Sequence, residues 1–220
     1  MLSVIKEKIS NCCKKLPPFL KSRSLMIGSL IIIVGLSTLI FDYQYNKYLE
    51  NKDQELIEDY LISKPDDVYI DSDGEIIEYN EGYQHPFIAV IEIPSIKLRG
   101  GLVDLKSKAN TVNKHIQILS HSDFPDVTNG NFILAAHSGN TRVSYFKNLV
   151  KVKNGDLITV YYNDSEYHYK VVKSYNQNKN GTIVIHRDNN KTTLTLTTCN
   201  NHNNKKEQLV VIAELIGIDT

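Results

Sequence analysis

Residues 194–199 read LTLTTC, a run of leucine and threonine that ends at Cys199 and continues into the asparagine-rich residues 200–204. β-Branched and large apolar side chains favour extended strands, and asparagine favours the turns that follow them. The segment therefore predicts a strand that ends at Cys199. A thiol in this position is held by the strand and stays accessible from the polar loop.

Similar short apolar segments recur along the second half of the chain, separated by turn sequences such as NGD at 154–156 and NG at 180–181. The segments with this pattern are residues 87–93, 131–136, 157–162, 167–175, 182–185, 192–199 and 208–216. Many short strands with few helices are typical of an antiparallel sandwich or a closed barrel. The sequence thus predicts an all-β domain in this half of the chain.

Cys199 is a candidate nucleophile. A lone cysteine is often a small buried apolar side chain, but this one stands between threonines and asparagines. A thiol reacts as the thiolate, and a neighbouring histidine can activate it. Of the seven histidines, His137 is favoured because it joins the apolar residues 134–136 to a turn of small residues. His202 is only three residues from Cys199 and ranks second, because its surroundings predict a flexible loop.

An apolar segment near the N-terminus predicts a membrane anchor. Residues 25–41 carry no charged or amide side chain over 17 residues, at the lower end of the roughly 17–25 residues that span a hydrocarbon core. A buried core helix would show a polar face, and this segment has none. Six basic residues and one acidic residue precede it, whereas the charges after it are mixed. By the positive-inside rule the N-terminus is cytoplasmic and the remainder is outside the cell.

The topology makes Cys199 the single thiol of the outer part, since Cys12 and Cys13 precede the anchor.

The overall composition argues against some classes of ligand. The 25 basic and 25 acidic side chains cancel, so no net charge favours nucleic acid as a partner. Asp123, Asp126 and Glu166 carry carboxylates that can ligate calcium, but acids scattered along a sequence are more often solvated. We expect no metal and no cofactor.

The motifs in the second half of the chain resemble those of sortases, in the same order. Residues 195–199 (TLTTC) look like the TLxTC signature of that family, and residues 136–139 (AHSG) look like its catalytic-histidine segment. Residues 90–96 (VIEIPSI) are similar to its first barrel strand, and residues 146–157 resemble the segment that follows the family histidine. The resemblance covers about residues 87–216, behind an anchor of the expected orientation.

This resemblance implies an eight-stranded β-barrel and a two-step acyl transfer. Cys199 would attack the Thr–Gly bond of an LPxTG-like sorting signal on a secreted protein and form a thioacyl intermediate. An amine from a cell-wall precursor or a pilin lysine would then resolve it. His137 would move the protons, and Thr197 and Thr198 would help to bind the substrate or its oxyanion. The loop at 176–181 is too short for the inserted helix of class B members, and the sequence shows no Asp-Pro-aromatic lid like that of many pilin-polymerising members. The resemblance therefore favours a class A or class D-like enzyme.

The expected organisation has four parts. They are a basic cytoplasmic N-terminus at 1–24, a transmembrane anchor at 25–41, a stalk helix and linker at 42–84, and a sortase-like catalytic barrel at 85–220. The stalk prediction rests on residues 48–63, where apolar side chains recur at helical spacing between many charges. The linker prediction rests on residues 64–84, which mix proline, aspartate, glycine and asparagine.

The sequence departs from the family pattern at one position. Sortases place an arginine on the last strand, and here the alignment of residues 209–213 puts Gln208 in its place. Three interpretations follow: Gln208 acts as a neutral hydrogen-bond donor; Lys205, Lys206 or Arg142 supplies the charge; or the activity is weak. The first interpretation is favoured because Gln208 lies on the strand itself. It leaves two alternatives to an active transpeptidase: a sortase-like barrel that only binds peptides, and a thiol hydrolase.

Overall fold

The computed structural model describes residues 18–62, 69–70, 76–77, 86–178, 184–185, 188–200 and 207–220. Most of the basic N-terminus and of the predicted linker, together with His202, Lys205 and Lys206, lies outside these ranges. The chain divides into two compact units, residues 1–49 and residues 50–220.

In the first unit the described residues belong to helix α1, which begins at Pro18 and ends at Ile62 in the second unit. From Met26 to Tyr48 its large apolar side chains are exposed rather than packed inside protein. Within the described residues this is the one helix long and apolar enough to cross a membrane. It fits a single-pass anchor, and it continues without a break through the stretch for which we predicted a separate stalk.

The second unit contains a sheet of eight strands. In chain order they are β3 (Ala89–Ile93), β4 (Leu98–Leu102), β5 (Gln117–Ile118), β6 (Asn131–Ala135), β7 (Leu157–Tyr162), β8 (Ser165–Asn178), β9 (Thr193–Cys199) and β10 (Glu207–Asp219). Short 3-10 helices span Pro94–Ile96 and Leu149–Lys151. Two further strands, β1 (Tyr69–Ile70) and β2 (Ile76–Ile77), pair with each other inside the predicted linker.

The order of strands across the sheet is β4-β3-β7-β8-β10-β9-β6-β5. All neighbours are antiparallel except β6 and β9, which run parallel. The sheet curls into a nearly closed barrel. Its interior is filled by apolar side chains from all eight strands, among them Ile91, Leu134, Ile158 and Leu196. The predicted eight-stranded, all-β barrel is confirmed. The predicted strand at 182–185 is wrong for its described residues, Val184 and Ile185, which are not in a strand.

The last turns of α1 pack on the barrel. Ile57 is 1% exposed and lies in a second apolar cluster with Phe87, Val90 and Val103. The hydroxyl of Tyr60 donates a hydrogen bond to the carbonyl of Ile88 at 2.8 Å. Burying an aliphatic side chain of this size contributes about 1.5–3 kcal/mol. These contacts hold the part of the helix that belongs to the second unit, residues 50–62, against the barrel.

Gly101 provides the room for this cluster. A Cβ at Gly101 would lie 2.5 Å from the ring of Phe87, closer than any real side-chain contact. We therefore expect Gly101→Ala to destabilise the protein by about 1–3 kcal/mol, the usual cost of overpacking. Thermal unfolding of the full chain in detergent measures the effect. Gly217→Ala is the matched control, since a Cβ added there would have no atom within 4 Å apart from its chain neighbours. An equal loss of stability in both variants would contradict the explanation.

Candidate active site

Strand β9 places Cys199 on the outer face of the barrel. Leu194 and Leu196 point into the core, and successive side chains of a strand alternate between its two faces. Thr197 and Cys199 therefore share the opposite face. Cys199 is half-buried at the last position of the strand, so the backbone holds the thiol while one side of it remains open.

The parallel neighbour of β9 brings His137 to the same place. Ala135 is paired with Thr197, the last pair between the two strands, and His137 follows Ala135 by two residues as Cys199 follows Thr197. Two hydrogen bonds hold the strands together here: Thr198 Oγ1 donates to the carbonyl of Ala136 at 2.7 Å, and Ser138 Oγ donates to the carbonyl of Cys199. These two bonds hold the segment that carries His137 beside the end of β9, where Cys199 is located.

Asn113 is a residue of this site that the sequence analysis missed. Its Oδ1 lies 3.0 Å from Nε2 of His137. A ring nitrogen that donates to a fixed acceptor sets the tautomer and the orientation of the imidazole, which leaves Nδ1 as the nitrogen for a proton or a thiolate. Asn113 precedes His137 by 24 residues and belongs to no motif, so only the fold reveals this contact.

The segment after His137 is held by its own contacts. The backbone N–H of Phe146 donates to the carbonyl of His137 at 3.0 Å. Arg142 forms an ion pair with Asp53 of α1 at 2.8 Å. Burial, with the nearby Asp53 carboxylate, raises the pKa of Tyr145 to about 12, so this phenol stays neutral. Because the guanidinium of Arg142 is engaged with Asp53, Arg142 is a poor source of the charge that Gln208 lacks.

Gln208 lies directly beside Cys199. The two residues are paired across β9 and β10, and Gln208 is also paired with Gln177 of β8. Residues opposite each other in an antiparallel pair place their side chains on the same face. The side chain of Gln208 therefore shares the outer face with the thiol. Its Oε1 is buried and has no hydrogen-bond partner among the residues that the structure describes.

The two threonines before Cys199 face opposite ways. Thr198 is buried, pairs with the core residue Leu209, and uses its hydroxyl proton in the bond to Ala136. Thr197 is on the face of Cys199, where its hydroxyl is buried without a partner in the described part of the chain. The contact of Thr198 supports a structural role, and the predicted substrate contacts of both threonines stay predictions.

No group of three or more His, Cys, Asp or Glu side chains lies close enough to hold a metal ion within the described ranges. Of the acids considered above, Asp123 accepts a hydrogen bond from the backbone N–H of Asn131 at 3.0 Å. Glu166 lies 3.9 Å from His168. Both acids thus have contacts of their own within the barrel.

We expect Asn113→Ala to slow acyl transfer about 3- to 10-fold, because an exposed hydrogen bond of this kind is worth about 1 kcal/mol. The effect should fall on kcat rather than on KM, since the contact orients His137 and not the peptide. Steady-state kinetics of the full chain with a cleavable peptide measures it. Asn113→Asp keeps an oxygen for Nε2 and should retain most of the rate; an equal loss in both variants would contradict an orienting role.

Comparisons with known proteins agree with this fold. The family model described as Sortase domain matches residues 91–216. Sortase A from Corynebacterium diphtheriae (a lid mutant) is 27% identical, with a TM-score of 0.55 over 63% of this chain and 74% of its own. Group B Streptococcus Pilus Island 1 Sortase C2 is 24% identical, with a TM-score of 0.54 over 79% of this chain and 97% of its own.

A Clostridium perfringens Sortase D5 transpeptidase is 23% identical, with a TM-score of 0.51 over 79% of this chain and 95% of its own. The similarities to Sortase C2 and to the Sortase D5 transpeptidase, both below 25% identity, show a common fold only. None of the curated proteins matches the sequence.

Proposed function

Because the chain belongs to the sortase family of cysteine transpeptidases, we propose that it cleaves an LPxTG-like sorting signal and joins the cleaved protein to an amine. In this proposal Cys199 is the nucleophile and His137 is the acid and base. The observation that supports the assignment is the parallel pairing of β6 and β9, whose last pair, Ala135 and Thr197, stands two residues before His137 and Cys199. The bonds from Thr198 and Ser138 hold the two strands at that point.

The reaction takes place in two steps. The Cys199 thiolate adds to the threonine carbonyl of the sorting signal, and collapse of the tetrahedral species breaks the Thr–Gly C–N bond. His137 donates the proton that the leaving amine needs. An incoming amine then attacks the thioacyl carbonyl, gives its proton to His137 and expels the thiolate. Two easier steps replace one difficult step, which is the benefit of a covalent intermediate.

Gln208 is proposed as the neutral hydrogen-bonding group beside the reacting carbonyl. Its pairing with Cys199 supports this role, and the ion pair of Arg142 with Asp53 supplies a reason why Arg142 does not replace it. An amide lacks the charge of the arginine usual in the family, but in a partly buried site a positioned neutral donor still stabilises developing negative charge.

Replacing Gln208 tests this role. We expect Gln208→Leu to lower the rate of peptide cleavage about 100-fold, the usual cost of losing a donor to the oxyanion. Gln208→Arg should not exceed the wild-type rate, because the site is built around an amide whose neighbour Gln177 is also an amide. A large gain in Gln208→Arg would contradict the proposal and show that the natural site lacks a charge.

The partners follow from the position in the cell that we propose. Helix α1 would cross the membrane through residues 25–41 with a cytoplasmic N-terminus, so the barrel would meet secreted proteins outside the cell. The basic residues before the apolar segment support this orientation. The acceptor would be an amine of a cell-wall precursor or a pilin lysine. With such an acceptor the enzyme would join proteins rather than degrade them.

Product analysis separates the proposed activity from its alternatives. The full chain in detergent is incubated with an LPxTG-type peptide, with and without a glycine-based amine. Cleavage with an amine-dependent ligation product is the expected result. Cleavage without ligation would indicate a thiol hydrolase. Binding without cleavage would indicate the peptide-binding module that the glutamine at position 208 also suggests.

A further inference from the structure

Unpaired buried polar atoms are concentrated beside Cys199. Within the described residues, four buried side-chain polar atoms make no hydrogen bond. One is the hydroxyl of Tyr169, inside the barrel. The other three are Thr197 Oγ1, Gln208 Oε1 and Gln177 Nε2. Native proteins leave few such atoms unpaired, and each one calls for an explanation.

The three atoms belong to one face of three adjacent strands. Gln208 is opposite Cys199 on one side and opposite Gln177 on the other, so these side chains form a row across β9, β10 and β8. Thr197 is on the face of Cys199, two residues earlier along β9 and opposite Val210. Strands are about 4.8 Å apart, which puts the backbone of Gln177 roughly 10 Å from that of Cys199. An extended peptide covers this span with about three residues.

The orientation of the Gln177 amide is set by a contact of its own. Its Oε1 accepts a hydrogen bond from the backbone N–H of Val184 at 3.1 Å. The hydroxyl of Tyr175, on the same face of β8, donates to the carbonyl of Val184 at 3.0 Å. Because Oε1 is already engaged, Nε2 is the donor that remains, and the acceptor Oε1 of Gln208 is the next side chain in the row.

An unpaired buried polar group costs about 1–3 kcal/mol, so the row is stabilised by any ligand that pairs with it. The row offers a neutral donor, a neutral acceptor and a hydroxyl. The main chain of an extended peptide presents both N–H and C=O groups and carries no charge, so it matches this set. A carboxylate or an ammonium group would meet only one half of it.

We propose that Thr197, Gln208 and Gln177 form an uncharged binding row for the main chain of the substrate peptide. Gln177 is then a binding residue of the site, about three residues from the scissile bond. This inference rests on the proposed function and deepens it, because it assigns the recognition of the peptide to amides where the family uses a charged side chain. Gln208 keeps its proposed role beside the reacting carbonyl, and the deeper prediction is that Gln177 and Thr197 bind the peptide without changing the reactivity of the thiol.

Affinity labelling separates binding by the row from reactivity of the thiol. The probe is the tetrapeptide Leu-Pro-Ala-Thr with a vinyl sulfone at its carboxyl end. The Cys199 thiolate adds to the vinyl carbon, one C–S bond forms, a proton is taken up at the neighbouring carbon, and nothing leaves. Iodoacetamide serves as a second probe, which reports the reactivity of the thiol without contact to the row. Both second-order rates are measured on the full chain in detergent by intact mass.

Two variants remove one unpaired atom each with little change of shape. Gln177→Glu keeps the oxygen that binds Val184 and replaces the donor Nε2 by an acceptor. Thr197→Val removes the hydroxyl. In each we expect peptide labelling to fall on the order of 10-fold, with iodoacetamide labelling unchanged within about twofold. Thr197→Val should also raise the melting temperature, because it removes an unpaired buried group. Asn178→Asp is the matched control, with the same change of charge on the next, exposed residue.

The outcomes distinguish this inference from the proposed function. If wild-type Cys199 reacts with the peptide probe no faster than with a scrambled tetrapeptide vinyl sulfone, the proposed function fails. If the wild type is selective but both variants label at its rate, the three atoms do not bind the peptide and the inference fails. Equal losses with both probes would make the row a structural support of the thiol, which also overturns the inference.

Discussion

Replacing Cys199 by alanine is expected to abolish peptide cleavage, with a residual rate at least 1,000-fold below that of the wild type. The thiolate is the atom that forms the covalent intermediate, and removing a nucleophile of this kind leaves only binding and the surrounding dipoles to act. Cleavage of a fluorogenic LPxTG-type peptide by the full chain measures the loss. The fold should persist, because Cys199 is half-buried at the end of β9 and outside the core cluster.

A retained melting temperature is therefore part of the expected result. Cys199→Ser keeps a small polar side chain with a weaker nucleophile and should be nearly as inactive. Substantial cleavage by either variant would assign the activity to another residue or to a contaminant, and the Cys199 assignment would have to be abandoned.

Replacing His137 by alanine is the second large effect that we expect. General acid and base catalysis contributes about 10²- to 10⁴-fold, and both steps of the proposed reaction need a proton moved at this position. The loss should appear in kcat with an unchanged peptide affinity. Single-turnover acylation, followed by mass, shows whether the first step is the slow one.

Two other histidines provide the controls for this experiment. His121 is exposed and bonded to Ser120, so His121→Ala should keep the wild-type rate. His202 was the other candidate partner by sequence proximity, and His202→Ala should also remain active. A large loss in His202→Ala with an active His137→Ala would reverse the assignment of the base.

Much of the barrel could be predicted from short-range patterns. Runs of apolar and β-branched residues predicted six of its strands. Such side chains favour an extended, partly buried strand whatever its position in the sheet. The same patterns marked Cys199 and His137, since both stand where an apolar run gives way to a polar turn. The same signal predicted a strand at 182–185, which is absent at Val184 and Ile185; the backbone of Val184 bonds to the side chains of Gln177 and Tyr175 instead.

The rest of the site depends on long-range pairing, which a local pattern does not contain. The parallel pairing of β6 and β9 brings Ala135 opposite Thr197, 62 positions apart in the sequence, and no periodicity predicts that register. Asn113 and Gln177 belong to no motif; each becomes part of the site only when the strands have paired. The docking of Ile57 against Phe87 is similar, since helical spacing predicts an apolar face but not the surface that it meets.

The departure at Gln208 gains a different meaning from these contacts. As a single letter it suggests a weakened enzyme, because a glutamine replaces a charged residue. In the fold it is the middle of a row of neutral side chains between Cys199 and Gln177. A site that recognises the peptide through amides has little use for a buried charge there, since an unpaired buried charge is costly.

The central claim is that Cys199 becomes acylated by a sorting peptide and that an amine releases it. Intact-mass measurement of the full chain, mixed with an LPxTG-type peptide and quenched in acid, tests this claim most directly. We predict a mass increase equal to the acyl fragment on the tryptic peptide that contains Cys199, and its disappearance when a glycine-based amine is added before the quench. An unchanged mass while the peptide is being cleaved, or an adduct on any other residue, would contradict the account.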